Sequence, residues 1–177
     1  MSPRCLVAAV AALTVLLPVG LAGCGEKDEP AMVDRSEAYL AVIEWQLARQ
    51  AEADGVPTDS SATTTEAPEL PVVYVVVSDG SKIGANVQAS VANATVDVAT
   101  VRFADSREEA LEVDDQQQPV RDDGVLLSIS PLPPDPARVI SVELEVYRSI
   151  GDHKTWDLSI GASGDGARVT TSSLQPL

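Results

Sequence analysis

Residues Val72–Val77 read Val-Val-Tyr-Val-Val-Val, an apolar stretch that contains no charged residue. β-Branched and aromatic residues favour strands. A strand that does not alternate between polar and apolar residues is expected to be covered on both faces. The chain must therefore supply packing elements for both sides of this strand, which predicts a layered domain with residues 72–77 inside its sheet.

The residues that follow this stretch change their apolar spacing. Ile83, Val87 and Val91 recur every four residues and predict a helix over residues 82–94. A strand is predicted next, over residues 96–104. Strand, helix and strand in this order are compatible with a parallel crossover. A short helix is expected at residues 106–111.

After residue 124 the apolar residues alternate with polar ones, as in strands with one face exposed to solvent. The sequence Ser163-Gly164-Asp165-Gly166 is typical of a hairpin turn. We therefore expect a β-meander, with strands at 125–130, 140–147, 156–160 and 167–173.

A further helix is predicted at residues 34–54, because Asp34 and Glu37 have the spacing of a capping box. The Ser/Thr/Pro-rich residues 55–71 resemble a linker. Residues 72–177 are then an α+β domain, against which the 34–54 helix packs. The predicted fold class is α+β, a mostly antiparallel sheet with two helices packed on one face.

The N-terminus has the features of a secretory signal peptide. Arg4 supplies a positive charge, an uncharged apolar run covers residues 5–17, and Pro18 interrupts the run before small residues. The run is shorter than the roughly 20 residues that a membrane-spanning helix needs. Residues 1–23 are therefore expected to be a cleaved signal.

The residues at the expected cut, Leu21-Ala22-Gly23-Cys24, resemble the lipobox of bacterial lipoproteins. The resemblance implies cleavage between Gly23 and Cys24 and attachment of lipid to the Cys24 sulfur. The protein would then be anchored to the cell membrane on its extracytoplasmic face, with residues 24–33 as the tether. The alternative is an ordinary secreted protein with a cysteine near its cleavage site by chance.

Cysteine content and charge fit this expectation. Cys5 lies in the segment that would be removed, so Cys24 would be the only cysteine left and no disulfide could form within the chain. The 27 acidic residues outnumber the 12 basic ones, for a net charge of −15. This charge argues against nucleic-acid binding, which depends on clustered Lys and Arg. It also disfavours direct adhesion to anionic lipid, so the partner of Cys24 would be the membrane through its attached lipid.

The body of the chain resembles small uncharacterised envelope proteins of high-GC Gram-positive bacteria. The resemblance covers residues 72–148 and implies no activity. Its residues are the Val72–Val77 start and the segments 102–110, 123–127 and 146–148.

The residues needed for familiar catalytic and metal chemistry are not found in the sequence. The chain has one histidine and no Gly-x-Ser-x-Gly motif. The acidic pairs Asp114-Asp115 and Asp122-Asp123 lack the ordered oxygen spacing of a calcium loop, and we interpret them as exposed turns. We expect no catalytic residue, no metal and no cofactor.

The leading hypothesis is a non-enzymatic module that binds an envelope protein or a small ligand. The alternative is a carrier of a small molecule or lipid, with a pocket between sheet and helices lined by Tyr39, Trp45 and Trp156. Packing in the core is the other interpretation of Tyr39 and Trp45. An enzyme with an acidic site of unfamiliar design is a third hypothesis.

Overall fold

The computed structural model describes residues 31–53, 69–164 and 166–176. The predicted signal peptide, with Gly23 and Cys24, and most of the predicted tether and linker lie outside these residues. The helices are α1 (Arg35–Ala53), α2 (Ala85–Thr95) and α3 (Arg107–Ala110), with a 3-10 turn at Arg121–Asp123. The strands are β1 (Val72–Val77), β2 (Thr100–Phe103), β3 (Val125–Ile129), β4 (Val139–Ser149), β5 (Asp152–Ser163) and β6 (Gly166–Leu174).

The six strands form one mixed sheet in the order β2-β1-β3-β4-β5-β6. Strand β1 is parallel to β2, as expected of the crossover through α2, and also parallel to β3. The later pairs, β3–β4, β4–β5 and β5–β6, are antiparallel. The α+β class is confirmed, and the sheet is mixed because β3 returns beside β1 before the meander begins.

Strand β1 is covered on both faces. Val73 and Val75 belong to one core cluster, together with Ile43 of α1 and Val91 of α2. Tyr74 and its neighbours on the opposite face belong to a second cluster, whose other members are Val76, Ala110, Leu111, Val120, Leu126 and Tyr147. Strand β1 therefore lies between two apolar layers, as the sequence predicted.

The start of α1 is fixed by a reciprocal pair of hydrogen bonds. The backbone N–H of Glu37 donates to Asp34 Oδ1 at 2.9 Å, and the backbone N–H of Asp34 donates to Glu37 Oε2 at 3.0 Å. These bonds confirm the capping box and satisfy donors that a helix start leaves unpaired. They also lower the pKa of the Asp34 carboxyl, chiefly through the bond from the Glu37 N–H.

Val33 corrects the boundary of the predicted tether. Its side chain is fully buried, and its backbone pairs with Ala137 through N–H···O bonds of 2.8 and 3.1 Å. The folded part of the chain therefore includes Val33 as well as α1. The short apolar run Ala31-Met32-Val33 shows no periodicity, so the sequence did not reveal the burial of Val33.

Among the helices within the described ranges, none combines the length and apolar character needed to cross a bilayer.

The capping box gives a prediction about stability. Replacing Asp34 by Ala should lower the free energy of unfolding by about 1 kcal/mol at neutral pH, because the Glu37 N–H loses its acceptor. The folded-state pKa of Asp34 is below the ordinary value of 3.8, so its contribution is complete above that value and is lost as the pH falls through the folded pKa. Urea unfolding at pH 7 and at about pH 2 measures both effects.

The exposed Glu44 of α1 provides the matched control. Glu44→Ala should change stability little at either pH. Equal losses in the Asp34 and Glu44 variants would show that the cap contributes nothing specific.

Candidate functional site

The two tryptophans of the chain, Trp45 and Trp156, lie together although they are far apart in the sequence. Their ring centroids are 5.2 Å apart and their planes are inclined by 75°, an edge-to-face arrangement. Beside them lies a cleft of about 220 Å³, here called the tryptophan cleft. Its lining residues are Gln46, Arg49, Gln50, Ala53, Val146, Arg148, Asp152, Lys154 and Trp156.

Three elements, α1, β4 and β5, contribute the residues that line the tryptophan cleft. The residues of α1 that line it are 46, 49, 50 and 53, which share one helix face because their spacing is i, i+3, i+4 and i+7. The residues of β4 and β5 that line it are alternate ones, and alternate residues share one face of a sheet. The register pairs Val146 with Lys154 and so brings the two strands' contributions together.

Arg49 packs against both aromatic rings. Its guanidinium carbon lies 4.2 Å from the Trp156 ring centroid and 5.0 Å from that of Trp45. Both distances are within the range of cation–π attraction. Stacking engages the face of a guanidinium and leaves its N–H donors available for hydrogen bonds. The tryptophans therefore fix the position of Arg49 while its capacity to bind an anion is retained.

Three cationic side chains line the cleft, although the chain as a whole is strongly acidic. Arg49, Arg148 and Lys154 line it, against the single carboxylate of Asp152. Within the described ranges, ion pairs join Lys82 to Asp105, Arg102 to Asp122 and Arg107 to Glu145, and none includes a cation of the cleft. The three cations therefore have no carboxylate partner within 4.0 Å in that part of the chain.

Gln50, which lines both the tryptophan cleft and a neighbouring cleft of about 600 Å³, has an unsatisfied acceptor. Its side-chain oxygen is buried and accepts no hydrogen bond from the described residues. A buried acceptor without a partner costs about 1–3 kcal/mol, which a donor from a ligand could recover. The cleft thus offers anion-binding donors together with one acceptor that needs an N–H or O–H group.

Tyr39, the third residue predicted to line the pocket, lies elsewhere. It is only 4% exposed and belongs to the main core cluster, and burial raises the pKa of its hydroxyl. The small cleft that it borders has a volume of about 110 Å³ and also contacts Arg35 and Leu132. The structure brings the two tryptophans together and does not bring Tyr39 to them, as the core-packing interpretation of Tyr39 expected.

A larger cleft of about 820 Å³ lies beside β1 and β2, and we call it the acidic cleft. Its floor contains a connected group of side chains. Tyr74 Oη donates to Asp122 Oδ2 at 2.7 Å and accepts from Arg102 Nη1 at 2.8 Å, while Arg102 also pairs with Asp122. The full lining is Tyr74, Arg102, Phe103, Ala104, Glu109, Glu112, Val113, Asp114, Asp115, Arg121 and Asp122.

The hydrogen bonds shift the pKa values of this group in opposite directions. The bond from Tyr74 and the nearby Arg102 guanidinium hold the pKa of the Asp122 carboxyl below its ordinary value. Burial, followed by the bond to Asp122, raises the pKa of Tyr74. The group therefore stays as a neutral phenol and an ionised carboxylate at neutral pH, and no proton is poised to move.

Asp122 reaches Tyr74 because of an unusual turn. Asp122 and Asp123 both have left-handed backbone angles, with φ of 57° and 51°. Aspartate tolerates this conformation better than most residues. A Cβ at Gly124 would lie 2.8 Å from the Val72 carbonyl oxygen, so the turn packs closely against the start of β1. The exposed bend was predicted from the sequence, but the link from Asp122 to Tyr74 was missed because no local pattern reveals it.

The presence of three cations in the tryptophan cleft was not predicted from the sequence. One signal was present: Arg49 lies one helical turn after Trp45, and Lys154 lies two residues before Trp156 on the same strand face. The single histidine, His153, is exposed near the start of β5. Among residues 31–53, 69–164 and 166–176, no group of three or more His, Cys, Asp or Glu side chains is arranged to hold a metal ion.

Comparison of the chain with protein-family models, curated proteins and solved structures finds no significant match.

The Tyr74 group gives a prediction about titration. In a Tyr74→Phe variant, the pKa of Asp122 should rise toward 3.8, because its largest stabilising hydrogen bond is lost. Carboxyl ¹³C NMR over a pH series measures this value directly.

Asp79 serves as the internal reference in the same spectra. Its pKa is lowered by the N–H of Ser81, at 2.9 Å, and this bond does not involve Tyr74. An unchanged Asp122 titration, or an equal change at Asp79, would contradict the assigned hydrogen bond.

Proposed function

We propose that the chain is a lipid-anchored, extracytoplasmic binding module without enzymatic activity. The lipobox residues Leu21–Cys24 support the anchor. The tryptophan cleft supports the binding role. In this proposal the lipid on Cys24 holds the domain at the membrane surface, and the cleft recognises a ligand or a segment of an envelope protein.

One observation carries the binding role: the ring of Trp156 lines the same concave site as Arg49, Arg148 and Lys154, which form no ion pair within the described residues. Tryptophan and arginine are the residues most enriched at sites of strong recognition. Like charges held close together without partners destabilise a protein. The grouping of Arg49, Arg148 and Lys154 is therefore better explained by a bound anion than by a contribution to folding.

The side chains of the tryptophan cleft favour binding over catalysis. A guanidinium is always charged and cannot exchange a proton near neutral pH. The two glutamine amides, Gln46 and Gln50, supply hydrogen bonds but are not nucleophiles. Asp152 and Lys154 are both exposed, and no ion pair joins them within the described residues, so they do not form a paired acid and base.

The carrier alternative has less support than the binding module. A carrier needs a largely apolar pocket, whereas Tyr39 is packed in the core and most residues around Trp156 are polar or charged.

We also infer that α1 and α2 cover the same face of the sheet. Ile43 of α1 and Val91 of α2 share a core cluster with Val75 and Leu127, whose neighbours Tyr74 and Leu126 belong to the other cluster. Because neighbouring residues of a strand point to opposite faces, this membership favours the two-helix layer.

The anchor leads to a prediction about processing. Replacing Cys24 by Ala should prevent lipidation and leave the uncleaved precursor, because the lipoprotein signal peptidase acts on the lipidated cysteine. Mass measurement of the membrane-extracted protein, before and after the change, reads out both events. If the Cys24→Ala protein were still cut after Gly23 and released, the chain would be an ordinary secreted protein. Cys5→Ala is the matched control and should be processed normally.

The binding role leads to a second prediction. The full-length protein, extracted from its own membranes in neutral detergent, should carry a non-covalent ligand or partner in native mass spectrometry. Lys154→Glu should remove it, since charge reversal in the cleft repels an anion. Arg168→Glu reverses an exposed charge on β6, outside the residues that line the cleft, and should leave the complex intact. A species bound equally to both variants would place the binding site elsewhere, and its absence from the wild-type protein would contradict the proposal.

A further inference from the structure

We propose that the tryptophan cleft binds the C-terminal carboxylate of a peptide. This inference rests on the proposed binding function and names the class of ligand. The carboxylate would be held by Arg49, Arg148 and Lys154, and the adjacent backbone N–H would donate to Gln50.

The tryptophan cleft is positively charged although the chain as a whole is negatively charged, and this favours an anion as the ligand. The chain has a net charge of −15, yet three of its cations meet here with one carboxylate. Two other arginines of the described segments have backbone partners: Arg35 donates to the carbonyls of Leu132 and Pro133, and Arg121 donates to that of Leu111. The side chains of Arg49, Arg148 and Lys154 take part in none of the ion pairs described above. Their donors therefore face a site that an anion can complete.

A carboxylate suits these donors. Arginine binds a carboxylate through two parallel N–H···O bonds, and lysine adds a compact charge. Asp152, in the same cleft, opposes a ligand with more than one negative charge. The four ionised groups still sum to a charge of +2, so the competition with phosphate described below separates a carboxylate from a phosphate.

The neutral parts of the cleft point to a peptide end rather than a free acid. The buried oxygen of Gln50 needs a donor, and a simple carboxylate such as acetate brings none. The last residue of a peptide carries an N–H next to its carboxylate and so supplies both groups at once. Trp156 offers an apolar wall for the terminal side chain, and the volume of about 220 Å³ has room for a chain end but not for a folded element.

The site contains its own spectroscopic probe. Trp45 and Trp156 are the only tryptophans of the chain, and Arg49 lies between 4 and 5 Å from both rings. Intrinsic fluorescence of the full-length protein in neutral detergent therefore reports occupancy of this cleft without a label. We expect saturable binding of N-acetyl-L-alanine, which represents a peptide end.

Two matched compounds separate the parts of the proposal. N-acetyl-L-alanine amide lacks the negative charge and should bind at least about tenfold more weakly, because the charge-assisted hydrogen bonds are lost. O-acetyl-L-lactate keeps the carboxylate and replaces the N–H by oxygen, so it should bind more weakly than N-acetyl-L-alanine in the wild-type protein. Inorganic phosphate should compete poorly.

Variants assign the effect to the cleft. Arg148→Gln and Lys154→Gln should each weaken N-acetyl-L-alanine about tenfold, with an unchanged unfolding temperature as the test of folding. Arg138→Gln changes an exposed arginine that does not line the cleft and should bind as the wild type does.

Equal affinity for the acid and its amide, or affinity unchanged in the Arg148 and Lys154 variants, would overturn the proposal. Tighter binding of phosphate than of N-acetyl-L-alanine would also overturn it. If N-acetyl-L-alanine does not bind, but the native protein still carries a species that Lys154→Glu removes, the ligand class is refuted. The proposed binding function then still stands. Failure in both experiments would refute both.

Discussion

The structure depends on the burial of β1 on both of its faces and on both of its edges. Val73 and Val75 require a layer on one face, and Tyr74 and Val76 require another. Parallel neighbours on both edges can only be reached by crossing over the sheet, and the chain uses α2 for β2 and the α3 segment for β3. Once β3 is in place, the remaining strands add by simple hairpins. The mixed sheet therefore follows from one apolar strand that must be enclosed.

The features of the fold that local chemistry decides were predictable. The capping box of Asp34 and Glu37 involves groups only three residues apart, and β4 shows its buried face as a plain alternation from Ile140 to Val146. The features set by distant partners were not. The sequence of β3 does not reveal whether β3 pairs with β1 in the parallel or the antiparallel direction. Helix α2 begins at Ala85 rather than at Lys82, because Gly84 is extended and Lys82 pairs with Asp105 on the chain that follows β2.

The candidate site shows the same division. The sequence suggested that the tryptophans could line a pocket, and the structure brings them together, with Trp45 in the middle of α1 and Trp156 on β5. The cations were not predicted because their meeting depends on register: Lys154 joins the cleft since it is paired with Val146 and lies two residues from Trp156. A shift of one residue in β5 would move Lys154 to the other face of the sheet. The sheet register therefore determines the electrostatics of the cleft.

The opposite charges of the two clefts can be reconciled with the acidity of the chain. The field of the surface carboxylates is screened over roughly 8 Å at physiological salt, whereas groups in direct contact with a ligand are screened far less. A carboxylate that reaches Arg148 and Lys154 is therefore governed by the cleft, although the protein as a whole repels anions from a distance. This repulsion slows the approach of acidic molecules and is strongest at low salt. A site of this kind gains selectivity from its surroundings, because a highly acidic ligand is repelled more strongly on its approach than a ligand with one terminal charge.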